Sequence, residues 1–361
     1  MKTFTSEAYY PPPESRGGWR CLYEADEIRG IAGMDPEKLE RLKEAQDFLC
    51  GGDSWSAVVI KNGWLVAEMN SFNVLSHTRF DIWSGTKSFT GTAFGLLLND
   101  FAKTDQKINF DLESCAYQFI PEGYPLSDPK KEKIKIKHLL SMTSGIPGES
   151  ANAFGAPTTI RNGPFEHAFG RCPNRYGKWV ARLHSEPGTR WDYSDPAMCH
   201  LSVIFNNVAG RRMDEYLTER VIGPIGVESF TWDVQGGSGF IGPYTNAHTG
   251  VHMSARELAR FGYLMLRGGA WDGREIVPAG WIDAATRSSQ ELNPNYGYTW
   301  WVNTAGTCWP YLPTDAFALM GYRSNKCYVI PSLDLVVARV GSGPVSWDEQ
   351  TFIGGIAGAV I

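Results

Sequence analysis

No stretch of the 361-residue chain approaches the ~20 consecutive apolar residues that a membrane-spanning helix needs, so no such span is expected. An excess of one charge is missing too. The 34 Lys and Arg stand against 39 Asp and Glu, and the net −5 offers no footprint for nucleic acid or an anionic membrane. The one basic cluster, Lys130 to Lys137, is interrupted by Glu132 and alternates with isoleucines, which predicts a strand-like entry with a solvated face. Cysteine is sparse: 7 residues, scattered, odd in number and without Cys-x-x-Cys, against both a disulfide framework and a zinc site. Neither His-Glu-x-x-His nor Gly-x-Ser-x-Gly occurs. His138, His200, His248 and His252 sit in patterned segments, and a satisfied structural histidine is the expectation for each. The opening Met1 to Glu7 lacks the apolar core of a signal peptide. The expectation is a soluble, cytoplasmic protein with no metal and no cofactor.

Apolar residues make up 43% of the chain and charged residues 20%, enough to bury a large core. Aromatics are plentiful, with 13 Trp; core packing accounts for most, and aromatic-walled pockets are a common second use. The first ~30 residues, rich in Pro, Gly and aromatics, read as an extended arm. From Asp35 to Leu49, apolar Leu39, Leu42, Ala45, Phe48 and Leu49 recur at helical spacing behind an Asp-Pro cap. Ser56–Ile60 and Trp64–Glu68 flank Asn62-Gly63, a hairpin signal. Helical pieces and Pro/Gly-rich loops alternate to Asn246. An amphipathic helix over Ser254–Gly268 follows, its Ser254 and Glu257 forming a capping box. Tyr296–Val302, Ala316–Leu319, Lys326–Ile330 and Leu333–Val340 then read as strands. The expected fold is α+β: an antiparallel sheet flanked by helices, built from residues 1–98 and 247–361, with 99–246 as an inserted, mainly helical lobe.

Three segments offer chemistry. Ser84-Gly85-Thr86-Lys87 puts a hydroxyl and an amine three residues apart on one helix face, at a helix start whose free N–H groups favour developing negative charge. A partly desolvated amine there can help remove the serine proton. The alternative is a chance spacing with Lys87 on a solvated face. In Glu186 to Pro196, a Pro-Gly turn delivers Tyr193 onto a loop ahead of an apolar helix. A loop tyrosine can shuttle protons beside a cation; otherwise Tyr193 is a core aromatic and Asp195-Pro196 a helix cap. Gly321-Tyr322-Arg323 precedes a strand, either as a close backbone approach to an oxyanion or as a bulge or turn.

Taken in order, these segments resemble the penicillin-recognising serine hydrolases: class C β-lactamases, DD-peptidases and β-lactamase-like esterases. Thr78 to Ser88 resembles the nucleophile segment. Ile134 to Ile146 is similar to an I-x-H-L-L-x-x-T-S-G-(L/I) stretch, Pro187 to Ser194 to the approach to the tyrosine motif, and Ser254 to Gly262 to a later S/T-A-x-D/E-L-A-R-F helix. The resemblance covers nearly the whole chain. It implies Ser84 as acylated nucleophile and Lys87 with Tyr193 as base network, Tyr193 taking the serine proton and passing it to the leaving group. The backbone N–H groups of Ser84 and Tyr322 would form the oxyanion hole.

Two departures redirect that reading. Where the tyrosine motif usually ends in Asn, this chain has Asp195, which when ionised can only accept hydrogen bonds. Beside Lys87 it would keep the amine charged and push the base role to Tyr193, or else bind a cationic substrate group. The K-T-G or H-x-G position reads Leu319-Met320-Gly321, without the cation that holds a β-lactam carboxylate; Arg323 stands nearby as a partial replacement. The pattern is nearest to carboxylesterases and 6-aminohexanoate-dimer hydrolases. It implies a serine hydrolase acting on a small ester or linear amide, with Asp195, Gly321 and Arg323 against the substrate. Aromatics from Tyr296 to Trp309 and from the N-terminal arm would wall the pocket. A weak β-lactamase or DD-peptidase is the alternative within enzymes, and a non-catalytic binding or sensor protein the alternative outside them.

Overall fold

Asn62 and Gly63 both adopt left-handed φ, 53° and 74°, the geometry of a two-residue turn whose twist matches its flanking strands. That turn joins β1 (Trp55–Lys61) to β2 (Trp64–Asn70). The computed structural model describes residues 9–50, 52–103, 109–153, 163–237, 241–344 and 347–361, so the opening Met1–Glu7 and the side chains of Phe48 and Leu49 lie outside the description. After a long helical excursion the chain returns as β3 (Trp301–Val302), β4 (Phe317–Gly321), β5 (Asn325–Ile330) and β6 (Leu335–Gly341). The six strands form one antiparallel sheet in the order β3-β4-β5-β6-β1-β2. The fold is thus α+β.

Every residue of β1 and β6 is buried, because both sheet faces are covered. Alternate residues serve different cores: Val58 and Ile60 face one, Trp55, Ala57 and Val59 the other. On the second face lies α1 (Pro36–Leu49), capped by Asp35 Oδ1 accepting from the N–H groups of Glu37 and Lys38 at 3.0 and 3.2 Å. The first face carries α2 (Thr86–Lys103), α3 (Ile136–Leu140), α4 (Asp195–Ala209) and α5 (Ala255–Leu266), all contributing to one continuous core. Ser254 caps α5 as expected, while the Glu257 carboxylate accepts from the N–H groups of Glu228 and Ser229 at 3.1 and 2.7 Å.

Three expectations are corrected. Lys130–Lys137 is strand-like only where Lys135 bridges Cys115: Pro129–Lys133 is a 3-10 turn started by proline, α3 begins at Ile136, and Lys131 is buried rather than solvated. Tyr296–Val302 is not one continuous strand: the backbone turns at Thr299, φ 67°, so that Tyr296 bridges Trp301 and only Trp301–Val302 joins the sheet. The N-terminal arm is extended only in part, with a helical turn over Ala25–Glu27 that continues through Ile28–Ala32. Among the described residues, its aromatics pack away from Ser84. Tyr10 and Trp19 pack on Tyr263, centroids 6.3 and 5.3 Å away, and Arg260 of α5 donates to Pro11 O at 2.9 Å. No helix among the described residues is long and apolar enough to cross a membrane.

Candidate active site

The nucleophile candidate sits on a strained turn. Trp83, immediately before Ser84, has φ 51°, a region that costs a bulky residue ~1–3 kcal/mol. The turn is held from outside: Asp81 Oδ1 accepts from Trp83 N–H at 2.8 Å and Gly250 N–H at 3.2 Å, and Val251 O accepts from Ile82 N–H at 2.9 Å. Ser84 thereby enters at the start of α2. Lys87, one turn later and 1% exposed, donates from Nζ to Ser84 Oγ at 2.9 Å. The Lys87 ammonium also lies 2.8 Å from Asp195 Oδ1, 4.6 Å from the Tyr193 ring centroid, and donates to His248 O at 3.3 Å.

Tyr193 owes its position to the Ile136–Ile146 segment and the loop after it. Met142 O accepts from Asp192 N–H at 2.9 Å, and Thr143 O from Gly188 N–H at 2.7 Å. The buried Asp192 carboxylate then gathers Gly148 N–H, Ser150 N–H and Ser150 Oγ at 3.0, 3.2 and 2.6 Å. Tyr193 O accepts from Glu149 N–H at 2.8 Å. Ser194, not Asp195, caps α4, its Oγ accepting from Ala197 N–H at 3.2 Å. Asp195 is therefore released from capping and turns its carboxylate to Lys87. Ser84 and Lys87 are near enough to the Tyr193 phenol to favour its ionised form, against burial.

Charge in this cluster is tightly linked. Burial disfavours the Lys87 ammonium, yet the Asp195 charge and Tyr193 more than compensate and hold the amine above its ordinary value. Asp195 is opposed by burial as well, but Lys87 and then His248 keep it below the usual carboxylate range. Burial pushes the Tyr193 phenol up against the pull of Lys87. Burial also pulls His248 below the ordinary histidine value. At neutral pH the cluster therefore holds a charged amine, a carboxylate, a protonated phenol and a neutral imidazole.

The third expected segment reaches the same turn. A Cβ built on Gly321 would overlap the Ile82 carbonyl oxygen, so glycine is what lets β4 end against the nucleophile turn. Leu319 packs against Gly85 from the same strand. Tyr322 is exposed, its ring 5.5 Å from that of Trp83. Arg323 is sent elsewhere: at φ 58° it donates to Ser342 Oγ at 3.3 Å. Tyr296 and Trp301 join Tyr193 and Trp191 in an aromatic group, with centroids 5.2 to 6.3 Å apart. Trp300 and Trp309 are core residues instead, against Phe317 and Tyr328.

Two residues at the site were not anticipated. His248 Nδ1 lies 3.8 Å from Asp195 Oδ2. Glu149 borders the cluster, its carboxyl pushed up by burial and by Asp195. Neither has a sequence signature, since each joins Asp195 only through the fold. Among the described residues, no three His, Cys, Asp or Glu side chains are grouped to hold a metal ion.

The sheet, the helix-borne Ser-x-x-Lys and the loop tyrosine define a β-lactamase/transpeptidase-like protein. The chain belongs to the Beta-lactamase family, whose model matches residues 52–351. An uncharacterized protein of Alkalihalophilus pseudofirmus is 23% identical over 294 residues, 75% of each chain. Among solved structures, a protein assigned as a 6-aminohexanoate-dimer hydrolase from Bacillus anthracis is 19% identical at TM-score 0.67, covering 96% of this chain and 87% of that one. A D-stereospecific amidohydrolase from Streptomyces sp. is 16% identical at TM-score 0.62, over 88% and 98%. At these identities the structural likeness establishes the fold.

Proposed function

We propose that the protein is a serine hydrolase that cleaves a small ester or linear amide through an acyl-enzyme on Ser84. The observation that carries this reading is the convergence of Lys87 Nζ on Ser84 Oγ at 2.9 Å, with the Tyr193 ring centroid 4.6 Å from the same amine. Ser84 Oγ attacks the carbonyl carbon, and Lys87 and Tyr193 together carry its proton to the leaving group. The backbone N–H groups of Ser84 and Tyr322 receive the oxyanion, a role supported by the close approach of Gly321 to Ile82. Water then releases the acyl group.

The substrate class follows from charge. Apolar Leu319 lies where a carboxylate-binding cation would stand, and Arg323 is engaged with Ser342. The nearby carboxylates of Asp195 and Glu149 outnumber Lys87. An anionic substrate is therefore disfavoured, and a neutral or cationic ester or amide favoured. This places β-lactams and carboxylate-terminated peptides second. A panel of p-nitrophenyl esters beside nitrocefin, run with wild type and Ser84→Ala, tests the reading. Ester turnover lost in Ser84→Ala and exceeding that of nitrocefin is expected; nitrocefin as the faster substrate would favour the β-lactamase alternative. Ligand binding with no turnover by the wild type would favour a sensor.

A further inference from the structure

The described cluster poses a problem for its own chemistry. A serine proton needs a basic acceptor, and at neutral pH Lys87 is an ammonium without a lone pair and Tyr193 a protonated phenol of very low basicity. Two neighbours are more basic. Asp195 is a carboxylate in direct contact with Lys87, with 22% of its side chain still exposed. His248 stands on its far side, Nδ1 3.8 Å from Oδ2, and this Nδ1 is buried without a hydrogen-bond partner. The main chain of the same residue accepts from Lys87 Nζ at 3.3 Å, so position 248 touches the amine from one side and its counter-ion from the other. A void of about 10 Å³, no more than one water could fill, lies among Asp195, His248, Cys199 and His167. His167 points Nδ1 at Cys172 O, 3.1 Å away, while Cys199 and His167 are pushed by burial toward their neutral forms. The charged groups facing the pair are thus Lys87 and, from the loop, Glu149.

Resting on the acyl-enzyme reading above, we propose that Asp195 is the proton acceptor of the site, reached through Lys87, and that His248 governs its availability. As Ser84 Oγ bonds to the carbonyl carbon, Lys87 gives one proton to Asp195 Oδ1 and in the same step takes the Ser84 proton on the lone pair so freed. Lys87 stays an ammonium, Asp195 becomes a neutral acid, and the negative charge appears on the substrate oxyanion. When the carbon–heteroatom bond breaks, its electron pair leaves with the alcohol or amine, which takes the Tyr193 phenolic proton. Lys87 reprotonates Tyr193, Asp195 returns its proton to Lys87, and the cluster is restored. A tyrosine that enters the step protonated is thus a donor, not the first acceptor. Asp195 and His248 are positioning residues in this scheme, since both act through Lys87.

The pH dependence separates this scheme from a structural role. Once His248 gains a proton, its positive charge competes with Lys87 for Asp195 and holds the carboxylate ionised. Turnover of a neutral ester by the wild type should therefore fall at a pH below the ordinary histidine range, because burial lowers His248. His248→Gln should lack that acid limb while labelling normally with a fluorophosphonate at pH 8. Asp195→Asn should lose about 100-fold or more in kcat at pH 7 with little change in KM, comparable to loss of a general base. Its kcat should then climb toward alkaline pH, as the buried Lys87, deprived of its counter-charge, loses its proton and serves as base itself. Two results each overturn the proposal: His248→Gln keeping the wild-type acid limb, or Asp195→Asn keeping the wild-type kcat profile with only KM altered. Should Asp195→Asn not fold, the His248→Gln profile decides alone. A wild type that neither labels nor turns over would overturn the hydrolase reading together with this inference, whereas a labelled wild type with unchanged variant profiles overturns the inference only.

Discussion

Tyr193 meets Lys87 with its ring, centroid 4.6 Å from Nζ, and its phenol is also drawn toward ionisation by the amine's charge. The two effects have different consequences. Tyr193→Phe keeps the ring against Trp301 and over the amine but removes the proton donor. It should leave the thermal midpoint nearly unchanged and lower kcat by roughly 10²- to 10⁴-fold. Steady-state kinetics beside a thermal melt checks this, and a melt lowered as much as activity would make Tyr193 a packing residue. Ser84 and Lys87 were legible from spacing, because a helix puts positions three apart on one face. Tyr193 required the surrounding motif, since its partners are over 100 residues away in the chain. His248 was not legible at all: its contact with Lys87 spans 161 positions, and a lone histidine most often means structure. Asp195 was suspected through its substitution for Asn, while its release from capping became clear only with Ser194 in place.

At the level of elements, the site is the meeting of a helix start, a strand end and a stapled loop. Gly321 is where β4 touches the nucleophile turn. Gly321→Ala should push β4 away from Ile82, costing about 1–3 kcal/mol as overpacking does and disturbing Ser84 more than the distant sheet. Denaturant unfolding with an ester assay would show activity falling further than stability; full activity would mean that the turn relaxes freely. Asp192 is the staple between the loops. Asp192→Ala leaves Gly148 and Ser150 donors without their acceptor and should cost about 1–3 kcal/mol, with kcat lowered through Tyr193. Retention of wild-type kcat would show that Tyr193 is held without it. The hairpin β1–β2 was readable because its turn chemistry is local. Lys130–Lys137 misled because alternation does not reveal the proline-started turn that leaves only Lys135 to bridge, and Tyr296–Val302 because β-propensity does not encode the turn at Thr299.

Across the whole molecule, burial of imidazoles links stability to acid. His200 lies fully buried between Tyr117 and Pro196 O, and burial drives it down to about 3. His138 is pushed down to about 4, and His167 and His248 also fall below the ordinary value. A histidine lowered in the folded state is protonated first in the unfolded chain, so stability present above about pH 6.5 should be lost progressively as pH falls toward the folded values. Asp81 and Glu149, pushed up, oppose this between their raised folded values and the ordinary carboxylate range. Urea midpoints should be clearly lower at pH 5 than at pH 8; equal midpoints would mean that these imidazoles are open to solvent. The α+β class was visible in the sequence because strand-like runs lie toward both ends of the chain and helical ones between them. The shared core was not, since contacts between α2, α4 and α5 depend on distant packing. The most direct test of the whole account is intact-mass spectrometry after exposure to a fluorophosphonate: one adduct on the wild type, mapped to Ser84, and none on Ser84→Ala is the expected result. An unmodified wild type, or equal labelling of Ser84→Ala, would contradict it.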